Sequence, residues 1–486
     1  MKNFHVAIIG GGVIGSAIAW ELSKYKLDVV VFEKGLDVCS GTSKANSGVI
    51  HSGINSTPGT LKARFCVEGN KMFTDLAEKL GFSLKWTGKY VIAKNPLESQ
   101  EIDRLIKVGK KNNVLGLEIH TGAVVKKRES NLSCFEALWV PTAGVILPYE
   151  FTIVLAENAV KNNVNFLLET KVTNIKKYEK GFKIETNKGV FSSNILINSG
   201  GLSCREIVSM VEKPDFKVYP CRGEYLVLDK NYSNLINSMI YPVPPAKLGV
   251  LGVHITPTIE GNILIGPSAE FIDDPDDKKT TLHMMKTLLK EAKEIIPSIP
   301  ENAIISAYSG IRCKLLSPQQ SGIADYRIEE SKRTPGLINL LGIESPGLTS
   351  APAIAKEVTK LISKFYNLEF KKDFKIIKKQ PRFSNLKENQ QFNLIKKDEK
   401  YGRIICRCEQ ITEAEVIKAL SNLLHARSIS SVQYRCRAGM GRCQGGFCTQ
   451  HLLRIMQEKF GMKIDEIKMK SPDSYLFTGY NRELKK

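Results

Sequence analysis

Val6-Ala7-Ile8-Ile9-Gly10-Gly11-Gly12-Val13-Ile14-Gly15 is an apolar run that breaks into glycine. A short buried strand suits 6–9, a helix suits 16–24, and Val29-Val30-Val31-Phe32 is a second strand ending at Glu33. Gly10-x-Gly12-x-x-Gly15 therefore stands between strand and helix. The first glycine permits the turn, the second lets backbone approach a pyrophosphate, and the third lets helix pack on strand. The helix N-terminus offers free N–H groups and a positive dipole end to phosphates. Glu33 lies 18 residues past Gly15, placed for ribose hydroxyls and repulsive to a 2′-phosphate. No Gly-Lys-Ser follows, so a mononucleotide P-loop is not expected.

Outward from this unit, 62–80 and 97–111 read as helices, 135–150 as Pro/Gly-punctuated β text, and 151–162 as a helix. Residues 164–198 alternate like a β-meander, and strands and prolines dominate 214–267. Helices are expected at 282–295 and 351–365, with strand text at 336–341. A Lys/Asn/Gln-rich stretch at 366–400 reads as an extended basic linker to a last compact module.

The 486 residues are 42% hydrophobic and 25% charged, the balance of a folded soluble chain of about three domains. No run approaches the roughly 20 apolar residues of a membrane span, and the start shows no signal-peptide pattern, so a cytoplasmic protein is expected. Seventy Lys/Arg against 50 Asp/Glu leave +20. Ten basic and four acidic residues fall in 371–400, and fifteen and eight in 401–486. Without an RNA-binding aromatic signature, a finger or a helix-turn-helix pattern, nucleic acid is not an expected partner. The excess reads as a lysine-rich composition with a basic linker. The other reading is attraction for anionic substrates, lipid headgroups at a peripheral membrane contact, or acidic redox partners.

A hydroxyl-rich loop, Ser40-Gly41-Thr42-Ser43-Lys44-Ala45-Asn46-Ser47-Gly48-Val49-Ile50-His51, can wrap an extended cofactor. Gly342-Ile343-Glu344-Ser345-Pro346-Gly347-Leu348-Thr349 runs into a helix whose dipole would face the pyrimidine edge of a flavin. With Asn198-Ser199-Gly200-Gly201 and Ser309-Gly310-Ile311-Arg312, these motifs resemble the glycine-oxidase/D-amino-acid-oxidase superfamily of FAD enzymes over 4–365. Within it the chain looks most like the flavin subunit of anaerobic glycerol-3-phosphate dehydrogenases and also like L-2-hydroxyglutarate dehydrogenases. Arg222-Gly223-Glu224-Tyr225 and Gly252-Val253-His254-Ile255-Thr256-Pro257 go with both. The resemblance implies that Gly10, Gly12, Gly15 and Glu33 hold adenosine and pyrophosphate, and that Thr42, Ser43 and Ser47 line the cofactor. It implies Val172 at the adenine, and Gly200, Gly310, Gly347, Leu348 and Thr349 along the remaining cofactor and its ring system.

On the substrate side Arg312 is the leading candidate, because a planar guanidinium can clamp a carboxylate or phosphate and orient the adjacent C–H. The plainer reading is a surface ion pair. Cys313 and Lys314 follow where related enzymes often carry proline. His51 and His254 are candidate bases for the hydroxyl proton, since imidazole titrates near neutrality. His51 could instead only hydrogen-bond the flavin, and either could be a satisfied core histidine. His5, His120 and His283 have no such context.

Five of eleven cysteines crowd the end: Cys406, Cys408, Cys436, Cys443 and Cys448. Thr412-Glu413-Ala414-Glu415 reads as a capping box opening a helix to Leu420, and a second helix spans about 449–459. C-x-C with C-x₄-C suits the C-x₂₋₄-C knuckles of structural zinc poorly and four thiolates around [2Fe–2S] better. Zinc and inert thiols are the alternatives. Cys-Arg-Cys-Glu followed by Arg-Ala-Gly-Met-Gly-Arg-Cys-Gln-Gly-Gly-Phe-Cys resembles the bacterioferritin-associated-ferredoxin type of [2Fe–2S] domain over 401–460. That resemblance makes Cys406, Cys408, Cys443 and Cys448 the metal ligands and leaves Cys436 surplus. Arg407, Arg435, Arg437 and Arg442 are expected to offset the cluster's charge.

The expected architecture is α/β: a Rossmann-like FAD-binding domain over 1–365 with a β-rich substrate domain inserted at roughly 80–150 and 214–300. The linker 366–400, a small α-helical [2Fe–2S] domain at 401–460 and a tail at 461–486 follow. The expected function is oxidation of a small anionic hydroxy compound, foremost sn-glycerol 3-phosphate. Electrons would pass through FAD and the cluster to a flavoprotein or a quinone-linked subunit. The alternatives are L-2-hydroxyglutarate oxidation, a non-enzymatic flavin/iron–sulfur redox adaptor, and an FAD-dependent RNA modifier suggested by charge alone.

Overall fold

A computed structural model describes residues 2–244, 252–320 and 322–477. Residues 478–486 of the expected tail lie outside the described residues.

The opening strand, Lys2–Ile9, sits in mid-sheet. It pairs in parallel with Val29–Phe32 on one side and Gly189–Asn198 on the other, with Ile9 beside Phe32 and Asn198. Asn165–Leu167 extends the parallel run beyond Val29–Phe32, and Leu337–Leu341 joins Gly189–Asn198 in parallel. The antiparallel strands Val172–Tyr178 and Gly181–Thr186 complete that edge. The expected meander at 164–198 is thus antiparallel after its first strand, which runs parallel.

The helix Val13–Leu22 is buried along its whole length. It lies between the helices Pro148–Lys161 and Gly347–Ile362, and Leu61–Leu80 packs on the latter. Side chains such as Ile18, Phe65, Phe151 and Ile354 fill this layer. Thr60 caps Leu61–Leu80 by accepting from Ala63 N, and Gly81 ends it at φ 78°, the left-handed conformation that favours glycine.

A second sheet, of nine strands among the described residues, stands beside the first. Its strands come from Lys89–Ala93, Glu118–Thr121 and Glu136–Val140, then from Tyr219–Leu228 onward to Ile304–Lys314. Ile304–Lys314, past the expected limit at 300, pairs along the whole of Tyr219–Leu228. One face of the sheet is closed by Leu282–Ile295 through Leu288, Ala292 and Ile295. The other is covered in part by the helix Pro96–Lys111 through Ile102 and Leu105, and elsewhere it lines a cleft.

The stretch expected to be an extended basic linker is a strap. Asn158 and Asn162, one turn apart, each bond a strap residue twice, as a strand neighbour would. Asn158 takes Ile377 N at 2.7 Å and gives to Ile377 O at 3.0 Å. Asn162 does the same with Lys375, at 2.9 and 2.7 Å. Lys379 N donates to Leu80 O at 2.8 Å, and a helix forms at Glu388–Lys397. The terminal module packs the helices Glu413–Leu420, Ile429–Cys436 and Thr449–Phe460 around Val416, Val432, Leu452 and Met456. Its middle helix was not expected.

Candidate active site and iron–sulfur centre

One cavity of about 2430 Å³ runs from the glycine turn, along the hydroxyl-rich loop, to the second sheet. All the candidate cofactor and substrate residues line it except Gly15 and Thr349. Gly10 has φ +105°, and a Cβ there would meet Ser199 O at 2.6 Å. A Cβ on Gly15 would strike Gly10 O at 2.0 Å, the close helix–strand approach read from the motif. Thr349 is fully buried, and its Oγ1 instead accepts from His51 N at 2.9 Å.

The Glu33 carboxylate accepts from Gly11 N and Gly35 N, both at 2.7 Å. Burial raises its pKa, and the two amides act against this. Each oxygen keeps accepting capacity toward the cavity. Ser43 Oγ accepts from Val13 N at 2.9 Å, capping the fingerprint helix from the loop. Thr42 Oγ1 donates to Ile311 O at 2.6 Å, tying that loop to the strand that carries Arg312. Gly310 allows this approach, since a Cβ there would sit 1.9 Å from Ala45 O. Ser47, Val172 and Gly200 line the same path. At its end the helix Gly347–Ile362 presents an N-terminus with no side-chain cap, and Gly347 and Leu348 face the cavity.

Arg312 stands opposite Cys221 in the second sheet. Its Nη2 donates to Ser268 O at 2.9 Å and its Nη1 to Cys221 Sγ at 3.5 Å. Gly223 leaves room for it, as a Cβ there would lie 2.9 Å from Nη2. Among the described residues it has no carboxylate partner, so the surface ion-pair reading fails. His51 Nε2 lies 3.3 Å from Ser345 Oγ, and burial, then Lys89, pushes its pKa down to about 3. His254 stacks on Tyr241 with centroids 3.8 Å apart. Burial lowers its pKa well below the ordinary value, with His51, Lys89 and Arg312 acting in the same direction. Both imidazoles are therefore neutral near pH 7, each with one ring nitrogen that carries no proton. Lys89 and Tyr241 were missed from the sequence. The only signal was a lone lysine opening the apolar run Tyr90-Val91-Ile92-Ala93.

In the module the thiols form two pairs rather than one knot. Cys408 Sγ lies 3.7 Å from Cys443 Sγ, and the neighbouring Cys448 thiol holds the Cys406 pKa below its ordinary value. No three ligating side chains among the described residues converge as a single ion would need. Tetrahedral zinc requires that convergence, whereas a two-iron cluster takes one thiolate pair per iron. Gly441 keeps the cradle open, since a Cβ there would be 2.3 Å from Cys408 Cβ. Cys436 is buried, donates to Val432 O at 3.2 Å and has its pKa pushed up to about 12 by burial, which makes it a core thiol.

Two of the four arginines expected around the cluster do something else. Arg435 pairs with Asp37 at 2.5 Å and Glu157 at 3.1 Å, and Arg437 donates to Glu409 and Tyr149. Both fasten the module to the cofactor-loop side of the cleft. Tyr434, Gly439 and Met440 thereby wall the cavity, and a Cβ on Gly439 would lie 3.8 Å from Cys448 Sγ. The backbone at Gly439 thus lies between the cavity and Cys448.

Residues 5–361 match the family described as FAD dependent oxidoreductase, and residues 404–458 the BFD-like [2Fe-2S] binding domain. The chain belongs to the FAD-dependent oxidoreductase family. It is an enzyme with two cofactors, FAD and a [2Fe–2S] cluster. It is 40% identical over 480 residues to a glycerol 3-phosphate dehydrogenase of Caloramator mitchellensis, covering 98% of each chain. A mitochondrial L-2-hydroxyglutarate dehydrogenase of Arabidopsis thaliana is 31% identical over 74% of this chain and 83% of its own. The FAD-bound L-alpha-glycerophosphate oxidase of Mycoplasma pneumoniae superposes with a TM-score of 0.73 at 29% identity, over 78% of this chain and all of that one. No described helix is long and apolar enough to cross a membrane.

Proposed function

We propose that this chain oxidises the secondary alcohol of a small anionic hydroxy compound, sn-glycerol 3-phosphate, to the ketone dihydroxyacetone phosphate. The observation that carries this is a guanidinium without a carboxylate partner, Arg312, in the same cavity as two neutral imidazoles. Arg312 binds the phosphate and orients the C–H. His51 or His254 accepts the hydroxyl proton at a ring nitrogen. His254 Nδ1 is buried without a hydrogen-bond partner and is the better placed to receive it. When bound, FAD supplies hydride acceptance and the [2Fe–2S] cluster supplies one-electron transfer. The names of the similar proteins favour glycerol 3-phosphate over L-2-hydroxyglutarate, which is the second reading.

The loop Ala438-Gly439-Met440 is proposed as the path between the two centres, with a flavoprotein or quinone-linked subunit as final acceptor. Under exclusion of air, sn-glycerol 3-phosphate should bleach the bound flavin at low concentration. Bleaching by L-2-hydroxyglutarate alone would move the assignment to the second reading.

A further inference from the structure

Four lysine or arginine residues are buried among the described residues: Lys62, Lys89, Arg222 and Arg437. Three have carboxylate partners, Lys62 with Glu344 at 3.0 Å, Arg222 with Asp277 at 2.8 Å and Arg437 with Glu409 at 2.9 Å. Lys89, 1% exposed, has none, and its nearest aromatic contact is the Tyr241 ring, 4.7 Å from Nζ. A lone ammonium away from water is costly, so a fold keeps one where it serves something.

Strand alternation shows what it faces. Tyr90 and Ile92 enter the apolar layer under the helix Leu282–Ile295, while Val91 and Ala93 share the opposite face with Met239 and Tyr241. Lys89 is on that second face and lines the cavity. Met239 pairs with Lys89, which puts Tyr241 two residues along on the same face. The pairing of Ile240 with Ile255 sets Tyr241 across from His254, and the two rings stack. Polar atoms without partners gather on these same lining residues: Tyr241 Oη, His254 Nδ1, Ser52 Oγ and Asn55 Oδ1. Lys89 and Arg312 both act on His254 from within the cavity.

We propose that Lys89 is a second anion-binding residue of the substrate pocket, taking anionic oxygens of the substrate beside His254 while Arg312 takes others. The ligand class is a phosphate monoester or a dicarboxylate with a neighbouring hydroxyl. Two cationic heads distribute the charge of a dianion, which a single guanidinium would leave partly unmatched. This rests on the reading of the cavity as the site of an anionic hydroxy compound.

The test uses the holoenzyme with air excluded, as wild type, Lys89→Met and Lys89→Arg. Flavin absorbance is titrated with sn-glycerol 3-phosphate, with L-2-hydroxyglutarate, and with inorganic phosphate as a non-reducing probe. Lys89→Met should weaken binding of the reducing anion and of phosphate by at least about ten-fold, and Lys89→Arg should restore most of it. FAD content should be unchanged. The melting temperature of Lys89→Met without anion should not fall, because an unpaired ammonium has been replaced by an apolar chain of similar length. A purely structural lysine would give the opposite pair, a lower melting temperature and unchanged affinity, and that result overturns the proposal. So does slower bleaching at unchanged affinity, which would place Lys89 at the hydroxyl instead. Should Lys89→Met lose FAD, Lys89→Gln replaces it under the same criteria. If neither hydroxy acid bleaches the wild type, the proposed function fails on its own, and the phosphate titration alone decides Lys89. Phosphate binding equally to wild type and variant, or to neither, overturns it.

Discussion

Arg437 Nε donates to Glu409 Oε2 at 2.9 Å, and its Nη1 to the Tyr149 hydroxyl at 3.0 Å. Glu409 directly follows Cys408, and Tyr149 walls the cavity. One buried guanidinium thus ties the loop of Cys408 to the cavity wall. Lys230 at 2.8 Å and Arg382 at 3.6 Å share the same carboxylate. Arg437→Met should cost about 3 kcal/mol, the scale for breaking a buried pair, reduced insofar as these neighbours still neutralise Glu409. Melting followed at separate flavin and cluster wavelengths should show the cluster signal lost first. Coincident, unshifted transitions would mean the module is held without this contact.

Arg312→Lys keeps the charge and loses the fork. Its guanidinium is already oriented by Ser268 O and Cys221 Sγ, contacts that a lysine cannot reproduce together. The variant should lose about 2 kcal/mol of transition-state stabilisation, seen as lower kcat/KM for the anionic substrate. An unchanged kcat/KM would remove Arg312 from the substrate pocket.

His51 and His254 on one side and Lys89 on the other set opposite ends of the pH dependence. With His51 held down to about 3, and His254 well below its usual value, both are neutral near pH 7. Flavin bleaching by substrate should therefore show no acid limb near pH 6.5. A histidine whose folded pKa is depressed gives stability that is fully present above its unfolded value of about 6.5 and lost as pH falls toward the folded one. Lys89, lowered to about 8 by burial, acts in an alkaline window. Between pH 8 and about 10.5 the unfolded chain holds a proton there that the folded chain has released, so stability from this group rises with pH. Urea midpoints of wild type minus Lys89→Met, at pH 7 and 10, should show that rise. A difference independent of pH would mean that Lys89 is not perturbed.

What the sequence made legible was local. Strand, glycine turn and helix lie within 30 residues, and each step has its own residue signal. The contact of Thr42 with Ile311 spans 269 positions, and no local pattern announces it. Arg435 and Arg437 were read as cluster neighbours because they are close to cysteines in the chain. The helix Ile429–Cys436 turns them instead toward Asp37 and Glu409. The strap was read as an extended linker from its Lys/Asn/Gln content, but what holds it is backbone bonding to Asn158 and Asn162, which composition cannot reveal. Lys89 was passed over for the same reason: its meaning lies in the partners it lacks.

Serine at one ligand candidate separates the two half-reactions. The four ligand candidates fall into an inner pair, Cys406 and Cys448, both buried, and an outer pair in which Cys408 is exposed and Cys443 intermediate. Replacing Cys443 with serine opens the outer pair while leaving the packed core of the module around Val432 and Met456 intact. The cavity lining at Gly10, Glu33 and Arg312 is untouched, so FAD should stay bound and substrate should still bleach it. The EPR signal of the reduced protein should be lost or altered, and turnover with a one-electron acceptor should fall steeply. Cys436→Ser changes a thiol that only bonds Val432 O inside the core. It should cost about 1 kcal/mol of stability and leave iron content and EPR signal unchanged. The reverse pattern, with the signal lost in Cys436→Ser and kept in Cys443→Ser, would require a different ligand set.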